Sequence, residues 1–177
     1  MKRTLLVLTI VAISVSIAAA QSQVKKETVP GITNFNQIET TVACAGAITA
    51  ASVPEIKKYG FVSIINLRAA TEPGANVEAE EAAAKAAGIN YAHIPFVTAS
   101  PDPTAVDRFL QTIVRRAYEP AFIHCAGGGR ASMMWFIKRV MVDKWDNDRA
   151  MAEAAQLGLN QEALKTFALS YIQTHKK

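Results

Sequence analysis

The sequence predicts an α/β domain, a mostly parallel central sheet flanked by helices, with a helical C-terminal part. Three observations predict it. Short β-rich runs alternate with helical stretches from residue 41 onward, the clearest strand is apolar almost throughout, and two consecutive helices end the chain. That strand, Phe61 to Leu67 (FVSIINL), is the kind covered on both faces, as parallel sheets are.

In chain order, residues 1–20 are expected to form a removable export signal. Lys2 and Arg3 precede an apolar run from Leu5 to Ile17, which ends in Ala18-Ala19-Ala20, a small-residue cleavage pattern. The run is short for a membrane anchor. Residues 21–40 are polar, contain Pro30 and Gly31, and read as an extended lead-in to a single domain over 41–177. Thr41 to Ala45 is the first expected strand. Ser52-Val53-Pro54-Glu55 pairs an N-cap serine with a glutamate at the third helical position, a capping box opening a helix that stops at Gly60. After the Phe61–Leu67 strand, Glu78 to Ala87 is helical, with acidic residues in its first turn and Gly88 closing it. Tyr91 to Phe96 is a strand, and Thr104 to Tyr118 a helix with Val106, Leu110 and Ile113 along one face. Ala121 to His124 is a short buried strand, Cys125 to Gly129 a glycine-rich turn, and Arg130 to Val142 a helix. Helices over 147–157 and 161–175, separated by Gly158 and Asn160, close the chain.

Composition narrows the function. Half of the 177 residues are apolar, 19% are charged and two are cysteine, which excludes a disulfide-stapled miniprotein, a collagen-like chain and a disordered one. Loss of the leader takes 19 basic residues to 17 against 15 acidic ones, so the net charge falls from +4 to +2. Nucleic acid thereby loses its compositional support as a partner. No second apolar run is long enough for a bilayer, so no membrane span is expected after cleavage. The signal suits a bacterial envelope protein, periplasmic or secreted, where Cys44 and Cys125 sit in a compartment that permits disulfides.

Chemistry concentrates in His124-Cys125-Ala126-Gly127-Gly128-Gly129-Arg130, which runs strand, turn, helix. In open α/β sheets ligands bind beyond the carboxyl ends of the strands, and this turn lies there. Three consecutive glycines let the backbone wrap tightly with its N–H groups inward, and the following helix adds its positive N-terminal end. Residues 126–130 thus form an anion cradle. A cysteine at the start of such a cradle is expected to ionise near neutral pH and act as a nucleophile. Arg130 can hold an oxyanion with two parallel N–H bonds, which lysine cannot. His124 packs behind the loop and steadies Cys125. The plainer alternative makes Cys125 a buried core thiol and the glycines a simple turn. A cysteine alone would favour it; cysteine, three glycines and arginine between strand and helix do not.

This HCAGGGR segment resembles the active-site loop of cysteine-dependent protein tyrosine and dual-specificity phosphatases. Ile32-Thr33-Asn34-Phe35, Ala45-Gly46-Ala47, Gly60 to Arg68, Tyr91 to Phe96 and Phe122 to Val140 resemble a bacterial group within that superfamily, the beta-lactamase-hydrolase-like phosphatase domains. The similarity spans residues 30–175. It implies a phosphatase-like α/β fold, Cys125 as nucleophile through a phosphocysteine intermediate, and Arg130 as the phosphate clamp.

Three departures accompany the resemblance. The superfamily loop has five residues between cysteine and arginine, whereas four separate Cys125 from Arg130. The bacterial group tolerates this tighter cradle, but it also resembles the loop of rhodanese-like sulfurtransferases, which carry sulfur on the cysteine. Ala131 stands where the superfamily places a hydroxyl directly after the arginine, and Ser132 comes one later. Val97 and Thr98 stand where the general acid is expected.

The nearest acid is Asp102, in Ser100-Pro101-Asp102-Pro103; it is the candidate general acid, although aspartate before proline is also an N-cap pattern. Glu72 is the reserve candidate. Arg68 either adds positive potential to the pocket or makes a surface ion pair. Cys44 is a buried small residue or the partner of Cys125 in a reversible disulfide. His93 reads as a polar partner on the sheet face. No close Cys/His spacing suggests a structural zinc, and neither metal nor organic cofactor is implied. The expected function is that of an exported phosphatase-like hydrolase of phosphate monoesters, phosphotyrosine among them. Two alternatives stand beside it: a sulfurtransferase using a Cys125 persulfide, and a non-catalytic module that binds an oxyanion or phosphoprotein.

Overall fold

A computed structural model describes residues 23–38 and 41–176. The expected signal over 1–20 lies outside the described residues. Among these residues six strands form one sheet: Val24–Val29 (β1), Ile32–Ile38 (β2), Val42–Ala45 (β3), Ser63–Asn66 (β4), Asn90–His93 (β5) and Ala121–His124 (β6). Their order is β1-β2-β3-β6-β4-β5. The last four run parallel, while β1 and β2 add an antiparallel hairpin at one edge. The sheet is therefore mixed but mostly parallel, as expected.

Among the described residues six α-helices cover it: Val53–Lys58 (α1), Val77–Ala87 (α2), Pro103–Ile113 (α3), Gly129–Met141 (α4), Asn147–Leu157 (α5) and Glu162–His175 (α6). Strand side chains alternate between faces, and that alternation sorts two cores. Ala43, Ala45, Ile64 and Phe122 pack against Val53 and Ile56 of α1 and Ala84 of α2. Val42, Cys44, Ile65 and Ile123 pack against Phe109, Phe136, Leu157 and Leu164 of the other four helices. With both faces covered, β3, β4 and β6 are buried along their whole length. Phe122 meets Phe35 and Phe61 edge-on at centroid distances of 5.4 and 5.7 Å. Such pairs contribute about 0.5–1.5 kcal/mol each beyond area burial. They hold β6 in place two residues before His124, and so fix where the glycine-rich turn emerges.

The structure corrects four expectations. The 21–40 lead-in is extended, but most of it is the β1–β2 hairpin, so the sheet begins at Val24 rather than near residue 41. As the edge strand, β1 is largely exposed, and VKKETV carries little of the apolar signal that marks an inner strand. Ser52 forms no capping box. Its hydroxyl donates to Thr49 O at 2.7 Å and to Gly31 O at 3.2 Å, tying the start of α1 to the hairpin turn. The strand expected over 91–96 leaves the ladder after His93, although Ile94 and Phe96 still donate to Asn66 O and Leu67 O. The helix expected over 104–118 stops at Ile113 and is followed by a 3₁₀ turn at Arg116–Tyr118. That break presents Tyr118 O to the buried Ser63 hydroxyl at 2.6 Å. Among the described residues, no helix is long and apolar enough to cross a membrane.

Candidate active site

The carboxyl end of β6, between those of β3 and β4, delivers His124 and Cys125 to the edge where parallel sheets place their ligands. The turn that follows is braced from outside. Ala126 O accepts the Ala47 N–H at 2.9 Å, and Gly127 O accepts the Asn34 side-chain amide at 3.0 Å. In a planar trans peptide, a carbonyl held one way turns the next N–H the other way. Accordingly the Gly128 N–H donates to Cys125 Sγ at 3.1 Å.

Two glycines are obligatory for this geometry. Gly128 sits at φ 102°, a left-handed conformation that a β-carbon would strain, and α4 begins immediately after it. A β-carbon at Gly46 would lie 2.9 Å from Ala126 O, so the β3 exit and the turn could not approach as they do.

Cys125 lines a cleft of about 320 Å³ together with Arg130, Glu72, Val97, Thr98 and Gln161. Arg130 is fixed from several directions. Its Nη1 donates to Phe96 O at 2.8 Å, to Leu67 O at 3.2 Å and to Glu72 Oε1 at 2.6 Å, and its Nη2 donates to Glu72 Oε2 at 2.8 Å. Its Nε makes no hydrogen bond to a described residue, and although burial opposes its charge, Glu72 and the neighbouring Cys125 raise the Arg130 pKa, so the guanidinium stands beside the sulfur. The hydrogen bond from Arg130 is the largest cause holding the Glu72 carboxyl down to about 2. Behind the loop, His124 Nε2 lies 3.3 Å from Glu80 Oε2, which accepts from Asn66 at 2.7 Å and Tyr91 at 3.1 Å. This polar knot beneath α2 is buried, and desolvation pushes the Tyr91 hydroxyl up.

Residues 34–142 match the family described as beta-lactamase hydrolase-like protein, phosphatase-like domain. The chain belongs to that family. A curated beta-lactamase hydrolase-like protein of Agrobacterium fabrum is 37% identical over 105 residues, which are 57% of this chain and 24% of that protein. The chain therefore spans about a quarter of that relative's length. A crystal structure of a Shewanella putrefaciens DUF442 protein superposes with TM-score 0.68 at 17% identity, covering 83% of this chain and 96% of that one. P. aeruginosa TpbA, crystallised in complex with phosphotyrosine, superposes with TM-score 0.63 at 17% identity over 88% of this chain and 91% of its own. At these identities the two structures establish the fold, a phosphatase fold, as the sequence resemblance implied.

Within the family's loop, the structure brings together Cys125, Ala126, Gly127, Gly129 and Arg130 at one cleft, with Gly128 directed onto the sulfur. Other candidates lie elsewhere. Asp102 is exposed and does not line the cleft; its carboxylate accepts Thr104 N at 2.9 Å and Thr104 Oγ1 at 2.7 Å, capping α3. Those two bonds lower its pKa, the opposite of what a proton donor needs. Ser132 is buried, and its hydroxyl donates back to Gly128 O at 3.1 Å rather than facing the cleft. Arg68 does not line the cleft, yet its charge reaches it: its Nε lies 3.5 Å from Glu72 Oε2 and helps to hold that carboxyl down, after Arg130. It is buried and donates to Gly74 O at 3.0 Å and Pro73 O at 2.6 Å, shaping the loop that carries Glu72. Cys44 and Cys125 are both free thiols, and burial pushes the Cys44 thiol up. His93 does sit on the sheet, its Nε2 2.7 Å from Arg68 O.

Sequence reasoning missed two residues. Asn34 braces the turn, and its signal was local: asparagine tolerates the left-handed φ of 46° found there. Gln161 lines the cleft from the α5–α6 turn, and no sequence pattern announces it. Among the described residues, no group of three His, Cys, Asp or Glu is placed to hold a metal ion.

Proposed function

We propose that the protein is an exported cysteine-dependent phosphatase that acts on phosphate monoesters, aryl esters such as phosphotyrosine above all. One observation carries the reading. The Cys125 sulfur, under the Gly128 N–H at 3.1 Å, shares a cleft with an arginine whose outer edge is locked onto Glu72. A phosphoryl group there has a nucleophile behind it, amide donors around it and the Arg130 Nε edge beside it.

In the first step Cys125 gives its thiol proton to solvent and forms the S–P bond as the ester O–P bond breaks, the electron pair leaving with the oxygen, which takes a proton from water. Water then attacks phosphorus, and the S–P bond breaks to release phosphate and restore the thiol. Glu72 is the one carboxyl among the described cleft residues, and Arg130 keeps it ionised to about pH 2, so it has no proton to give. A leaving group must therefore depart largely unaided. Phenols, with a pKa of about 10, manage this far better than alkyl alcohols. TpbA, of the same fold, has been crystallised with phosphotyrosine, which supports the aryl assignment. Export rests on the signal pattern over 1–20.

The test is phosphate release from an aryl phosphate under reducing conditions, with Cys125→Ser alongside. Release by the wild type and none by the variant is expected. A folded, reduced protein that releases no phosphate but forms thiocyanate from thiosulfate and cyanide would replace this reading with sulfur transfer. Stabilisation by phosphate with neither activity would mark a binding module. N-terminal sequencing of the protein from a periplasmic fraction should begin at Gln21.

A further inference from the structure

A second cleft, of about 550 Å³, runs on from the first, since Gly127, Gly129 and Gln161 line both. It passes between the β1–β2 hairpin and the turn joining α5 to α6, where Gly158 and Asn160 lie. Carboxamides dominate its polar lining: Asn34, Asn36, Asn160 and Gln161. The amide nitrogens of Asn34 and Asn36 are committed, donating to Gly127 O at 3.0 Å and Leu157 O at 3.0 Å. Their Oδ1 atoms receive no hydrogen bond from any described residue. With the carboxamides of Asn160 and Gln161, which bond no described residue, the cleft presents acceptors and donors together, and suits a ligand that carries both N–H and C=O groups.

Charge adds a second feature. Lys26 lies opposite Asn36 in the β1–β2 register, so the two side chains share one face. It is exposed, and among the described residues no carboxylate lies within ion-pair distance of it. Glu27 also lines the cleft, but its carboxylate is engaged by Lys25 and by Gln37 at 3.4 Å. In the first cleft Glu72 is shared between Arg130 at 2.6 Å and Arg68 at 3.5 Å, and the surplus positive charge there faces the place of the phosphoryl group. Beyond one phosphoryl group, then, the unmatched attraction for an anion lies at Lys26.

We infer that the second cleft holds the polypeptide flanking a phosphorylated residue, in extended form. Its backbone N–H groups donate to Asn34 Oδ1 and Asn36 Oδ1, and an acidic side chain meets Lys26. The inference rests on the phosphatase reading above. Because β1 is the sheet's edge, alternate residues of it also turn their N–H and C=O groups outward, a second set of partners for an extended segment.

Four substrates test it: a small aryl phosphate, a sugar phosphate, and two phosphotyrosyl peptides that differ only in glutamate or lysine flanks. kcat/KM is measured for the wild type and for Lys26→Glu. The glutamate peptide should exceed the lysine peptide by about fivefold, through KM, and Lys26→Glu should reverse the order. Equal peptides, or an order unmoved by Lys26→Glu, would overturn the groove while leaving the phosphatase reading intact. So would a sugar phosphate, or the small aryl phosphate, turned over faster than both peptides. No turnover of any of the four would remove the phosphatase reading and the groove with it.

Discussion

Glu72 and Arg130, 58 positions apart in the chain, meet in two parallel hydrogen bonds of 2.6 and 2.8 Å at the wall of the cysteine cleft. The pair uses one edge of the guanidinium and so directs the other. A phosphoryl group bound at Cys125 would find an arginine already oriented, with its rotamer entropy spent on folding rather than on binding.

Glu72→Gln should therefore lower kcat on an aryl phosphate by one to two orders of magnitude, about the cost of a misplaced catalytic group. The glutamine keeps the size but can accept from only one of the two Nη groups through its Oε1. The pH–rate profile separates positioning from proton donation. Glu72 is ionised well below the working range, so the variant should keep the shape of the wild-type profile at reduced height. Loss of the basic limb would instead identify Glu72 as the acid.

The same pair makes stability depend on pH in a defined window. The Glu72 carboxyl is lowered from 4.5 to about 2, chiefly by the Arg130 hydrogen bond. A depressed carboxyl pKa contributes stability that is complete above the unfolded value and is lost as pH falls through the folded one. Thermal melts should thus show a Glu72-dependent decline between pH 4.5 and about 2 that is absent in Glu72→Gln, with no such difference in slope near neutrality.

Asp102 provides the contrasting case. Its carboxylate caps α3 through Thr104 and takes no part in the cleft lining. Asp102→Asn, which can still cap, should leave both kcat and melting temperature near wild type. Asp102→Ala should lower the melting temperature and leave kcat alone. A kcat loss shared by both variants would return Asp102 to the chemistry.

Legibility followed the range of the interactions. Ala121 to His124, the turn and the start of α4 could be read because strand apolarity, glycines and the helix start are all local signals. Pro30-Gly31 was equally local, a turn pattern between two strands. Yet Lys25, Lys26 and Glu27 on exposed β1 masked the alternation that would have made a hairpin of it. The partner of Arg130 could not be read, because Glu72 reaches it only after Arg68 has folded the 69–76 loop back through Pro73 O and Gly74 O. Asp102 misled for the converse reason. Aspartate before proline near an expected acid position satisfies two patterns at once, and the hydrogen bonds to Thr104 show the helix cap to be the one realised.

The brace on the turn yields the sharpest separation of backbone from side chain. Asn34 holds Gly127 O at 3.0 Å from a backbone at φ 46°, and that carbonyl belongs to the peptide whose N–H points at Cys125 Sγ. Asn34→Gly keeps the left-handed conformation and removes the amide, whereas Asn34→Ala removes the amide and strains the backbone as well. If the amide orients the donor, both variants should lose kcat by a similar factor, about tenfold, since one misdirected donor costs less than the 10²–10³ of a deleted one. Asn34→Ala alone should lose further stability in thermal melts. Asn34→Asp should be the poorest catalyst of the three, because a carboxylate would face the Gly127 carbonyl and repel the peptide that the amide attracts. Full activity in Asn34→Gly would show that the glycines and the Ala47 N–H hold the turn without help from the hairpin.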